Sequence, residues 1–179
     1  KIQTRMKNTK PLVTDERIMR EKLQSKCQEG LQVTIFATKG RGVKTTRCFK
    51  AKEFLVEYAG ELLTYKQAVA RESTYEQSNE LGCFMFFFKH KANKYCIDAT
   101  KETGYYGRLV NHSRVHANCV AKVVELSDQP HLVLIASRDI NKGEELLYDY
   151  GDRRSHVIMH HPWLKGQNGN TGCYTITAR

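Results

Sequence analysis

The chain has 179 residues, 40% hydrophobic and 27% charged, which suits one soluble globular domain with a single core. No apolar run reaches the ~18–20 residues that cross a bilayer, and no charged-then-apolar leader opens the sequence, so neither a membrane protein nor a freshly exported one is expected. The net charge of +10 is lopsided: residues 1–52 hold 14 basic and 4 acidic side chains, residues 53–179 hold 15 of each, and the basic third suits either a polyanion contact or a solvated arm.

In chain order, residues 1–13 are basic and polar, and with no initial Met the sequence is expected to be a fragment of something longer. Thr14 can cap a helix whose first turn holds Asp15 and Glu16 and which Gly30 can close. Its apolar row, Met19, Leu23 and Cys27, is a narrow stripe, as for a helix lying on the surface of a body. After Gly30 the period switches. Leu31, Val33 and Ile35 alternate with polar residues as in a half-buried strand, and Lys39-Gly40-Arg41-Gly42-Val43 reads as a tight glycine turn. Phe54–Tyr58 reads as a strand ending at Gly60, and 65–77 as a helix. Short strands are predicted at Cys83–Phe88, Tyr95–Ile97, Cys119–Leu126 and His131–Ala136, with turns at Ala92-Asn93, Asp128-Gln129-Pro130 and Asn141-Lys142-Gly143. Many short strands with few helices predict a mostly β domain, not a doubly wound nucleotide fold. The stretch from Gly166 to Arg179, rich in Gly, Asn and Thr, is predicted to be a flexible tail.

The chemistry-bearing segments are few. Six cysteines occur without C-x-x-C pairs, so packing groups or free thiols of an intracellular protein are expected rather than a zinc site or a disulfide scaffold. There is no P-loop, no G-x-S-x-G and no H-E-x-x-H. The Lys39–Gly42 glycines suit a strand-connecting turn, or a cradle that brings backbone N–H groups and two cations to a carboxylate or phosphate. Asn111-His112 suits a polar pair in a turn; a thiol–imidazole hydrolase would need a cysteine beside His112, which spacing does not supply. Tyr148 and Tyr150 fall on one face of a strand, either as sheet packing or as an aromatic slot, with Tyr58 as a third phenol. Such a slot suits a long aliphatic stem with a cationic tip.

Taken in order, Lys39-Gly40-Arg41-Gly42-Val43, Tyr58-x-Gly60, Asp98-Ala99-Thr100, Arg108-x-x-Asn111-His112-Ser113 and Gly143-Glu144-Glu145-Leu146-x-Tyr148-Asp149-Tyr150-Gly151 resemble the SET-domain protein lysine methyltransferases. Leu132-x-Leu134-Ile135-Ala136-Ser137-Arg138-Asp139-Ile140 and His161-Pro162-Trp163-Leu164-Lys165 resemble the branch of that family that monomethylates lysine 20 of histone H4. The likeness covers about residues 14–165.

The resemblance implies a SET fold of small curved sheets with a pseudoknot, a flanking N-terminal helix and a short C-terminal helical segment. It divides the chain into a basic arm and helix (1–30), a SET domain (31–152), a closing segment (153–165) and a tail (166–179). It implies S-adenosylmethionine as methyl donor, leaving S-adenosylhomocysteine, and no metal. Lys39, Gly40, Arg41, Phe84, Asn111, His112 and Trp163 are implied at the donor. Tyr150 is implied as the catalytic tyrosine, Tyr148 as the residue that sets methyl number, and Tyr58 as a channel wall; a tyrosine at 148 implies monomethylation. The implied setting is the nucleus and chromosome, with the histone H4 tail as substrate, nucleosomal DNA against the basic third, a monomeric protein and no membrane. Methyl transfer to an amine needs the neutral form, and a lysine in water has a pKa of ~10.4, so neutralising it at pH 7 costs roughly 4–5 kcal/mol. A dry aromatic channel disfavours the ammonium.

The run Cys83-Phe84-Met85-Phe86-Phe87-Phe88 departs from that branch, which carries tyrosines there. Beyond Tyr150 only Cys173 remains, so the zinc cluster that closes many SET enzymes is not expected, and His161-Pro162-Trp163 is expected to close the site instead. A non-histone lysine substrate, or a catalytically silent chromatin-binding module on the same fold, are the alternatives.

Overall fold

The computed structural model describes residues 16–78, 84–150 and 174–177. Helix α1 (Glu16–Gln24) is followed by β1 (Leu31–Phe36), β2 (Gly40–Thr45), β3 (Phe54–Glu57), β4 (Glu61–Thr64) and α2 (Tyr65–Ser78). Then come β5 (Phe84–His90), β6 (Asn93–Asp98), a 3-10 turn (Gly107–Leu109), β7 (Asn111–His112), β8 (Cys119–Leu126), β9 (Gln129–Ala136), β10 (Leu147–Tyr148) and β11 (Tyr174–Thr177). They form four small sheets, ordered β1-β2, β10-β7, β11-β5-β6-β4 and β3-β9-β8.

Two of these sheets are apolar on both faces. In β9, Leu132, Leu134 and Ala136 enter the main core while Val133 turns to Met19 and Leu23 of α1. A β-bulge between Phe54 and Val56 shifts the pairing with β9, so that Phe54 faces α1 while Leu55 and Val56 both enter the core. In β5, Phe86 and Phe88 face the main core, and Met85 and Phe87 pack with Ala68 of α2. That double burial explains the unbroken phenylalanine run better than an alternating pattern would.

The helix ends follow local chemistry. In α2, Gln67 N–H donates to Thr64 Oγ1 at 3.4 Å and Thr64 N–H donates to Gln67 Oε1 at 3.0 Å, a reciprocal capping box. The predicted stop at Gly30 is corrected: α1 ends at Gln24, with Lys26 at φ 50 and Cys27 N–H donating to Lys22 O at 2.9 Å. That is a Schellman closure with lysine in the left-handed seat usually held by glycine. The expected cap at Thr14 lies outside the described residues. The β8–β9 turn is also moved: Ser127 and Asp128, at φ 52 and 60, make the two-residue connection, and Gln129-Pro130 already belong to β9. Ile35 departs from the expected alternation and is 80% exposed, because the far end of the β1-β2 hairpin leaves the core.

Within the stretch read as a flexible tail, Tyr174–Thr177 instead form β11, pairing parallel with β5 from Phe84 to Phe87. The β-favouring Tyr-Thr-Ile-Thr run accounts for it. The C-terminal helical segment expected at 153–165 lies outside the described residues.

Candidate active site

Three chain segments meet at one point of the core because backbones approach there more closely than a side chain would allow. Gly107 starts the 3-10 turn against the end of β3; a Cβ on it would lie 2.1 Å from Glu57 O and 2.9 Å from Tyr58 Cα. The turn thus delivers Val110, Asn111 and His112 beside Tyr58. β7 then runs parallel to β10, pairing Asn111 with Leu147 and His112 with Tyr148. The loop after β7 brackets β10: Ser113 N–H donates to Tyr148 O at 3.1 Å and Asn118 N–H to Leu147 O at 2.9 Å. Asn118 Oδ1 accepts from Leu147 N–H at 2.9 Å, so one asparagine satisfies both polar groups of that residue.

The phenols converge here. Tyr148 and Tyr150 have ring centroids 4.6 Å apart, and Tyr150 lies 5.0 Å from the His112 ring. Phe86 meets Tyr58 edge-on at 5.4 Å and lies nearly parallel to Tyr148 at 6.2 Å. The Tyr150 hydroxyl donates to Val110 O at 2.9 Å. Those of Tyr58 and Tyr148, each on a residue 1% exposed, have no hydrogen-bond partner among the described residues. Leaving a buried hydroxyl unpaired costs about 1–3 kcal/mol, so two of them in one aromatic cluster mark a place for a polar ligand. Burial pushes both phenol pKa values well up, which keeps both hydroxyls protonated as donors. Burial also lowers the pKa of His112, and its Nδ1 accepts from Tyr150 N–H at 3.2 Å. Burial thus favours the neutral imidazole.

A second cluster lies at the base of the β1-β2 hairpin. Leu146 N–H donates to Val43 O at 2.8 Å and Thr45 N–H to Glu144 O at 2.9 Å, which docks β2 along the segment before β10. Gly42 is needed there: a Cβ on it would sit 2.4 Å from Asn111 Nδ2. Glu145 gathers two of the predicted donor-site residues, accepting from Lys39 Nζ at 2.8 Å and from Asn111 Nδ2 at 3.0 Å. With its amide nitrogen donating to Glu145, Asn111 keeps its Oδ1 as an acceptor on the other side. Gly40, at φ +69 with open space where a Cβ would be, turns the chain beside Lys39.

Arg41 and Phe84 belong to an adjoining group. Arg41 makes a two-bond contact with Glu102 at 2.7 and 3.0 Å, and Arg108 Nη1 lies 3.1 Å from the same carboxylate. The hydrogen bonds from Arg41 and the charge of Arg108 draw the Glu102 pKa down to about 2. Arg108 is itself buried, donates to Ala99 O at 2.7 Å and lies 4.0 Å above the Phe84 ring. Trp163, the remaining predicted residue, lies outside the described residues. Glu145, Glu102 and Asn118 were given no role from sequence, and Phe86 was noted only as a departure from the family branch. Glu145 sits in the quoted glycine-acid-tyrosine motif, and only the fold reveals which of its side chains point to Asn111.

The basic third is less open than its composition suggests. Lys22 and Arg47 both meet Glu53, Lys39 meets Glu145, Arg41 meets Glu102 and Lys50 meets Asp139. Four carboxylates from the rest of the chain thus pair with five of these cations.

The SET domain family model matches residues 40–151. The chain belongs to the SET-domain family. Relatives agree with that: this SET chain is 53% identical over 142 residues to "Histone-lysine N-methyltransferase Set8" of Drosophila melanogaster, covering 79% of the chain and 20% of the relative. It is 51% identical over 145 residues to "N-lysine methyltransferase KMT5A" of Xenopus tropicalis, covering 81% of the chain and 43% of the relative. The SET chain therefore spans less than half the length of these two relatives. A crystal structure of CpSET8 from Cryptosporidium superposes with a TM-score of 0.72 at 35% identity, covering 86% of this chain and 71% of that one. The parallel β7–β10 pair bracketed by residues 113–118 is the part of the SET fold that holds the site together.

Proposed function

We propose that this SET domain is an S-adenosylmethionine-dependent protein-lysine N-methyltransferase that adds one methyl group to lysine 20 of histone H4 in nucleosomes. The observation that carries the reading is the pair of buried phenols, Tyr58 and Tyr148, whose hydroxyls have no partner among the described residues, beside Tyr150. The names of the relatives, a histone-lysine and an N-lysine methyltransferase, support the reaction class.

The residues present fit a methyl donor. A glycine bend flanked by two cations, an amide oriented by Glu145 and a neutral imidazole stand next to the phenols. When bound, S-adenosylmethionine supplies a methyl group activated on a sulfonium. Lys39, Gly40, Arg41, Asn111 and His112 would hold it, with Phe84 as an apolar contact and Trp163 at its adenine end.

The chain's own part is to prepare the amine. The aromatic cluster around Tyr58, Phe86 and Tyr148 excludes water, so an entering ammonium loses hydration and its neutral form is favoured. The two hydroxyl oxygens accept from the amine N–H groups, which leaves its lone pair toward the methyl donor, and holding it in line recovers entropy otherwise lost in a chance encounter. The Tyr148 hydroxyl occupies room that a second methyl would need. The basic first third, residues 1–52, would lie on nucleosomal DNA, the SET domain at 31–152 would carry the reaction, and 153–165 would close the site, with the protein on chromatin in the nucleus.

Incubation with labelled donor, nucleosomes and free histones, read by mass spectrometry, tests the reading: one added methyl on histone H4 lysine 20 is expected, and no transfer to any lysine would end it. Tyr148→Phe should keep activity but yield a dimethylated product; a product still limited to one methyl would remove that role from Tyr148. Nucleosome affinity should fall steeply between low and moderate salt as counterions are released, and a flat response would remove the DNA contact.

A further inference from the structure

The two unpartnered phenols share one neighbour that carries no polar group. Phe86, 2% exposed at the middle of β5, lies nearly parallel to Tyr148, with an interplanar angle of 12°, and edge-on to Tyr58, at 63°. The Tyr150 ring is tethered through its hydroxyl to Val110 O. Tyr148 has no such tether among the described residues, so its ring is held by packing alone, against Tyr150 and Phe86. The Phe86 backbone is itself fixed from both sides, paired with Ile97 on β6 and with Ile176 on β11.

We infer that Phe86 is a positioning residue for product specificity: by holding the Tyr148 ring upright it limits the reaction to a single methyl. The inference rests on the methyltransferase reading of the site. A close-packed interior gives a ring no space to tilt while its neighbour is in place, and truncating that neighbour opens a cavity into which it can lean. A leaning Tyr148 withdraws its hydroxyl from the amine pocket. A monomethylated lysine could then turn its lone pair to a second donor. Its nitrogen would bond the methyl carbon as the sulfur–carbon bond breaks, the electron pair staying on sulfur and the surplus nitrogen proton passing to water.

The test uses the full chain as wild type, Phe86→Leu and Phe86→Tyr, each with S-adenosylmethionine and nucleosomes, with products read by mass spectrometry and folding by thermal melting. Wild type and Phe86→Tyr, which keeps the ring, should stop at one methyl. Phe86→Leu should yield dimethyl-lysine, with the first transfer slowed by no more than about tenfold. A folded Phe86→Leu that gives only monomethyl product, or none, overturns the inference, as does dimethylation by Phe86→Tyr. Should Phe86→Leu fail to fold, Phe86→Met takes its place with the same two outcomes. Failure of the wild type to methylate any lysine is visible before the variants are compared, and counts against the activity and not against Phe86.

Discussion

Replacing Tyr150 with phenylalanine is expected to lower turnover by about a hundredfold or more while leaving the protein folded. The hydroxyl donates to Val110 O at 2.9 Å, one residue before Asn111, so it ties the reacting pocket to the strand that carries the donor-site amide. Without it the ring keeps its packing against Tyr148 and His112 but loses the hydrogen bond that fixes its hydroxyl end. Small displacements are costly when the reaction depends on an in-line approach and no side chain needs to titrate. The loss in stability should be near 1 kcal/mol, because the partner left behind is a single carbonyl. Single-turnover rates measured beside a thermal melt separate the two effects, and near-normal turnover would refute a catalytic part for Tyr150.

The largest effect on folding is expected from Gly107→Ala. The added carbon would fall 2.1 Å from Glu57 O and 2.8 Å from its carbonyl carbon, both backbone atoms held by the β3–β9 ladder and so unable to step aside. Relief would require the 3-10 turn to withdraw, which would pull Val110 and His112, both buried, out of the core. A cost of about 3–5 kcal/mol follows, a large share of an ordinary domain's stability of about 5–15 kcal/mol. Urea unfolding of the two proteins measures it directly, and a midpoint equal to wild type would mean that the turn tolerates a side chain.

Much of this was legible in the residues. The β8 strand was read from Cys119 to Leu126 as it stands, because valine-rich alternation and a following turn are local signals. The three tyrosines and Asn111-His112 were readable as motifs, and the fold brings them together. The two-residue strands β7 and β10 were not legible, since nothing within Asn-His or Leu-Tyr marks a strand until the other arrives. Glu145 and Glu102 escaped for a related reason: a carboxylate in a charged stretch looks solvated, and only distant Lys39, Asn111, Arg41 and Arg108 give it a purpose. The net charge of +10 says nothing of such pairings, and Lys39 and Lys50 meet Glu145 and Asp139 from the neutral remainder of the chain only because the fold brings them together.

The bracket around β10 also dictates when the site can exist. Tyr58 is synthesised early, but the β7–β10 pairing that carries His112 and Tyr148 can form only once the chain has emerged past β10. Pairings between sequence-distant segments form slowly, so a partly translated chain has a hydrophobic hollow awaiting β10. Assembly of the reacting centre thus waits for β10, and until then its apolar rings are exposed to chaperones and to aggregation.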